Sequence, residues 1–123
     1  MKTFFSENAP AAIGPYSQAT MKNGILFISG QLGINLQTGN LAESFEEQAE
    51  LVFKHLGSIL KEANMDFSNV IKVSVFVKDI NQFPVLNKIY SKYFNSPYPA
   101  RELIEVKDLP KHAEVEISLI AME

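Results

Sequence analysis

Arg101 and Glu116 are the two side chains in this sequence best suited to chemistry. An arginine presents a rigid fork of donors that matches a carboxylate bidentately, and a glutamate can order a water and take its proton. Strand alternation through Arg101–Lys107 and Glu114–Ala121 predicts that both lie on one polar sheet face. The competing reading is a cross-strand salt bridge with no ligand in it. Other candidates are fewer. His55 and His112 stand alone, away from metal-ligand spacing, and read as packing or surface groups. Tyr16 reads by default as a half-buried strand aromatic and Asn87 as a solvated helix residue. Gly30 and Gly33 follow Ser29 without the spacing or Lys-Ser/Thr pair of a phosphate loop, so they read as turn residues. Cysteine is absent, which removes thiolate nucleophiles, disulfides and Cys-ligated metals.

Several elements must position these residues. Asn23-Gly24 predicts a two-residue hairpin turn within Tyr16–Ser29, returning through Ile25–Ser29. A loop rich in turn formers follows from Gly30 to Asn40. Ser44 with Glu47 three residues on predicts a capping box opening a first helix. Val52, Leu56, Ile59, Leu60 and Ala63 supply its apolar stripe, and Asn64 its stop. Gly57 within that stripe predicts a close crossing over the sheet. Val70–Val77 alternates, with Ile71, Val73, Val75 and Val77 on one face and Lys72, Ser74 and Phe76 on the other. A second helix is expected from about Gln82 to Phe94, with Pro84 in its first turn and Phe83, Leu86, Tyr90 and Phe94 as its stripe. Two more strands close the chain. This order predicts an α+β two-layer sandwich, a mixed sheet with two helices on one face.

The uncovered face is mixed, with Arg101, Leu103, Glu105, Glu116, Ser118 and Ile120 beside Ser74 and Phe76. Such a face suits a subunit interface containing polar pockets; the alternative is a solvated sheet with a few stray apolar groups.

Composition sets the frame. The chain has 123 residues, 46% hydrophobic and 20% charged, which fits one domain spanning 1–123. A net charge of −3, with no basic aromatic platform, argues against nucleic acid as a partner. No stretch has the length of a signal peptide core or a membrane span, so a cytoplasmic location is expected.

Beyond these readings, the chain resembles the RidA/YjgF family of enamine/imine deaminases over nearly its whole length. The resemblance is carried by Ala9–Ala19, Ile28-Ser29-Gly30-Gln31, Val75–Asp79, Asn87 with Tyr90 and Phe94, Pro99-Ala100-Arg101, Leu109-Pro110 and Val115-Glu116-Ile117. It implies a chorismate-mutase-like fold assembled as a homotrimer, with active sites in clefts between subunits. It also implies hydrolysis of 2-imino acids and their enamine tautomers (2-aminoacrylate/2-iminopropanoate and 2-iminobutanoate) to 2-keto acids and ammonia, with neither metal nor cofactor. By the same resemblance Arg101 clamps the substrate carboxylate and Glu116 positions the attacking water. Tyr16, Ser29, Gly30 and Asn87 line the pocket, and Leu103 contributes its backbone carbonyl. Many members carry a Ser-Cys pair after the arginine where this chain has Glu102-Leu103, a change that bears on pocket volume. The rival reading is a non-catalytic ligand-binding or regulatory module of the same fold, translation-inhibiting, ribonuclease-like or chaperone-like. Retention of Pro99-Ala100-Arg101 favours the enzyme.

Overall fold

The computed structural model describes all 123 residues. It contains β1 (Lys2–Phe4), β2 (Ala19–Lys22), β3 (Ile25–Leu32), α1 (Phe45–Glu62), β4 (Val70–Val77), α2 (Phe83–Tyr90), β5 (Ala100–Glu105) and β6 (Val115–Met122). The strands form one mixed sheet in the order β1-β2-β3-β6-β4-β5, antiparallel except for the parallel β4–β5 pair. Both helices cover the same face, and their apolar residues join those of β3, β4 and β6 in one core. The two-layer α+β expectation therefore holds.

Local signals account for much of this. Asn23 and Gly24 both take positive φ (54° and 76°), as the hairpin turn requires. Ser44 Oγ caps α1 by accepting the Glu47 N–H at 3.1 Å. The capping box is only half made, because the Glu47 carboxylate accepts from the Ser44 hydroxyl at 2.9 Å. At the other end Asn64 sits at φ 58° and the Met65 N–H reaches back to the Leu60 carbonyl, a left-handed C-terminal stop. Val52, Leu56, Ile59 and Leu60 are fully buried.

Four expectations need correction. β1 escaped the sequence reading because three residues leave almost no period to detect. β3 continues through Gly30 to Leu32, so Gly30 belongs to a strand and not to the following loop. α2 ends at Tyr90, with a separate 3₁₀ turn at Ile80–Gln82 before it; Phe83 is 46% exposed and lies outside the buried stripe. Gly57 faces the Phe67 ring, where an added Cβ would lie 3.2 Å from Cε2, and does not mark a crossing over the sheet.

The alternation of β4 and β5 also departs from expectation. A register shift against β6 between Val70 and Lys72 inserts Ile71 as an extra residue. Val70 is buried while Ile71 is 47% exposed. In β5 the parallel register sets Arg101 beside Val73, Leu103 beside Val75 and Glu105 beside Val77. Since Val73, Val75 and Val77 are core residues, Arg101, Leu103 and Glu105 lie on the helix side. The uncovered face carries Glu102 and Ile104 instead. Leu103 packs against the core, Ile104 is 45% exposed, and the Glu105 carboxylate accepts the Ile80 N–H at 2.9 Å.

Rows read across the uncovered face are Thr20–Phe27–Ile120–Lys72, then Ser118–Ser74–Glu102, then Leu32–Glu116–Phe76–Ile104. Glu102, which follows Arg101 where many members carry serine, is held there by Lys72 at 3.3 Å and the Ser74 hydroxyl at 3.1 Å.

Candidate active site

Arg101 and Glu116 occupy opposite faces of the sheet, contrary to the alternation reading, and no ion pair joins them. The cross-strand salt bridge is thereby excluded within one chain. Each residue instead lines a cavity of its own.

The first cavity, about 330 Å³, is lined by Tyr16, Gly30, Leu32, Ile34, Lys111 and Glu116, among others. The β3–β6 register shifts between Ile28 and Gln31 and leaves Leu32 opposite Glu116. Gly30 lets the Glu116 carboxylate lie close against the strand. A Cβ there would fall 2.7 Å from Glu116 Oε2, and Gly30 does not have positive φ. It is a close-approach glycine, as is Gly33, whose added Cβ would fall 2.3 Å from the Gln48 Cα of α1. Neither is the turn residue that the sequence suggested. Glu116 has no hydrogen-bond or ionic partner within the chain, and burial alone pushes its carboxyl above the ordinary value of 4.5.

Tyr16 is 51% exposed and borders this cavity. Ser29 lines neither cavity. Its hydroxyl donates to the Ser17 carbonyl at 2.7 Å and its N–H to the Gln18 carbonyl at 2.9 Å. It thus ties β3 to the segment carrying Tyr16. Gln18 secures that segment from behind, accepting the Ser6 N–H at 2.7 Å and donating to the Pro10 carbonyl at 2.9 Å.

The second cavity, about 350 Å³, is lined by Asn87, Tyr90, Ser91, Tyr98, Pro99 and Arg101. The Arg101 guanidinium lies 4.7 Å from the Tyr90 ring centre and 5.6 Å from that of Phe83. Each such contact contributes about 0.5–2 kcal/mol, depending on desolvation. No carboxylate neutralises Arg101, so its donors remain available to an incoming anion. Burial pushes the Tyr90 hydroxyl up, and the nearby Arg101 only partly offsets this, so the ring stays neutral at physiological pH. Phe83 and Tyr90 were not among the expected site residues. Their seven-residue spacing on α2 was visible, but it read as core packing.

Leu103 lines neither cavity. The Val106 N–H donates to the Val77 carbonyl at 2.8 Å. In a parallel ladder that phase turns the backbone groups of Arg101, Leu103 and Glu105 toward the open side of the edge strand. The Leu103 carbonyl is thus displayed beside Arg101. His55 is a packing residue: it is buried, with its Nε2–H donating to the Ile34 carbonyl at 2.8 Å. No group of three or more His, Asp or Glu side chains is arranged to hold a metal ion, and no helix is long and apolar enough to cross a membrane.

The chain is 47% identical to a RutC family protein of Aquifex aeolicus, covering 100% of each. It is 44% identical to the human 2-iminobutanoate/2-iminopropanoate deaminase, over 94% of this chain and 85% of that protein. Among solved structures, RidA from Psychrobacter sp. PAMC 21119 superposes with a TM-score of 0.96 at 39% identity, covering 100% of both chains. Escherichia coli TdcF with bound serine superposes at 0.94 and 33% identity, covering 100% of this chain and 99% of that one. The family described as Endoribonuclease L-PSP matches residues 6–123. With these relatives and this fold, the chain belongs to that family, the RidA/YjgF family.

Proposed function

We propose that this protein is an enamine/imine deaminase, hydrolysing 2-iminobutanoate and 2-iminopropanoate to 2-keto acids and ammonia. The observation that carries the reading is the un-neutralised Arg101 guanidinium, braced on Tyr90 and facing a cavity with Asn87. Whole-chain similarity to the human deaminase supports the reaction. The serine bound by TdcF supports a small carboxylate-bearing ligand.

Arg101 and Glu116 must meet for the chemistry, and one chain holds them on opposite faces. A homotrimer resolves this, with Arg101, Asn87 and the Leu103 carbonyl coming from one subunit and Glu116, Tyr16 and Gly30 from its neighbour. The uncovered face, with Phe27 48% and Ile104 45% exposed, is the surface that packs between copies.

In that cleft Arg101 grips the carboxylate and fixes the C=N carbon in place; orientation of this kind contributes several kcal/mol, up to about 7–11 in the best cases. Glu116 accepts a proton from the water that attacks this carbon. It returns the proton to nitrogen as ammonia leaves the tetrahedral adduct. Its raised pKa brings the base nearer to neutrality, where general bases work best. Ser29 has committed its hydroxyl proton to Ser17, so its role is to hold Tyr16 and Gly30 at the cavity. An RNA substrate finds little support in a chain of net charge −3.

The test is keto-acid release from 2-iminobutanoate generated in situ. Arg101→Ala should abolish turnover while the chain stays folded. Glu116→Gln should lower kcat by roughly 10²–10⁴-fold with keto-acid binding kept. Full activity in Arg101→Ala would overturn the assignment.

A further inference from the structure

Between β5 and β6 the backbone adopts a conformation that packing alone does not call for. Lys111 and His112 are successive non-glycine residues with φ of 59° and 58°. Left-handed backbone costs an ordinary residue of order 1 kcal/mol, so the turn persists because something holds it. Asp108 is the staple. Its carboxylate accepts the Leu109 N–H at 2.8 Å, contacts Lys78 Nζ at 3.1 Å and meets His112 Nδ1 at 2.9 Å. These donors, the Leu109 N–H foremost, hold its pKa down at about 2. The His112 N–H returns to the Leu109 carbonyl at 2.9 Å and the Ala113 N–H to that of Pro110 at 3.1 Å.

The turn fixes one cation at a particular place. Lys111 lines the same cavity as Glu116, Tyr16 and Gly30. It enters none of the chain's ion pairs. Arg101 lies in the other cavity, so Lys111 is the only cationic side chain lining the Glu116 cavity in its own chain. No ion pair joins Lys111 to Glu116 either, so neither charge is spent on the other. The cavity, about 330 Å³, has room for a small anion with a polar reacting centre.

We propose that Lys111 is a further substrate-binding residue, a cation held by a strained turn at the Glu116 cavity that draws the anionic imino acid in and adds to its binding. The inference rests on reading that cavity as the imino-acid site. Because Lys111 binds substrate and transition state alike, it acts on KM and not on kcat.

The experiment is titration of the assembled protein with 2-oxobutanoate, the keto-acid product, alongside turnover, at low and high salt. For Lys111→Gln we expect Kd and KM to rise about threefold at low ionic strength, with kcat unchanged. The difference should vanish in high salt. Lys111→Gly should show the same loss of affinity with a raised Tm, because it relieves the left-handed backbone; Lys111→Arg should restore binding. A purely structural lysine predicts instead that Lys111→Gly binds as wild type does. Wild-type Kd and KM in Lys111→Gln would overturn the lysine assignment and leave the deaminase standing. Absence of both binding and turnover in the wild type would overturn the two together.

Discussion

Glu116 is half-buried, contacts no donor in its own chain and approaches Gly30 so closely that a side chain there would push the carboxylate aside. A carboxylate placed in this way lowers stability once ionised, since nothing replaces the water it has lost. Its folded-state pKa lies above the unfolded value of 4.5. Below that value both states are protonated and the penalty is absent. As pH rises through the folded pKa, the native state must give up a proton that it holds more tightly than the unfolded chain does, and stability falls. Glu116→Gln should therefore melt higher than wild type at pH 7, with the gap narrowing toward pH 4, while turnover collapses. Thermal melts across that range check the sign. Equal melting temperatures at pH 7 would mean that the carboxylate finds a donor in the assembled protein. Such opposition between stability and activity is expected where a group is placed for chemistry and not for packing.

At the scale of elements, the site depends on how closely α1 lies over the end of β3. An added Cβ at Gly33 would sit 2.3 Å from the Gln48 Cα and 2.5 Å from its carbonyl oxygen. The obstruction is backbone, which cannot swing aside. Gly33→Ala should cost about 1–3 kcal/mol by forcing helix and strand apart, readable as a fall in denaturation midpoint. It should also disturb the buried Gln48 side chain, which accepts the Glu114 N–H at 2.8 Å and donates to the Ala42 carbonyl at 2.9 Å. The same scale explains what could be read from the sequence. The hairpin at Asn23-Gly24 and both ends of α1 were legible because a few adjacent residues decide them. The face of β5 was not. Leu103 and Ile104 are adjacent apolar residues, so either alternation buries one of them, and the choice is made by register against β4, a strand more than twenty residues away in the chain. The displaced Ile71 has a similar cause, since a bulge is defined by the partner strand. Arg101 and Glu116 were legible as individuals, through motif resemblance, but not the sheet between them.

For the whole molecule, that separation gives the proposed assembly a quantitative consequence. If Arg101 and Glu116 act across a subunit boundary, each trimer has three sites, each drawing one residue from either neighbour. Arg101→Ala and Glu116→Gln homotrimers are then both inactive. Mixed trimers differ: in a closed ring of three, any mixture contains one boundary where an intact Arg101 faces an intact Glu116. Random reassembly of equal amounts makes about three-quarters of the trimers mixed, and about a quarter of wild-type activity should return. Co-refolding the two variants and assaying keto-acid release measures it. The recovery should follow the product of the two variant fractions, peaking at equal mixing, and should be absent when the variants are combined without unfolding. A site contained in one chain gives no recovery at any ratio. The proposed trimer would also cover Phe27 and Ile104, which are solvent-exposed in a lone chain. A charge placed there, such as Ile104→Lys, should yield folded, lower-mass particles by sedimentation in which Arg101 and Glu116 are both intact and turnover is still lost.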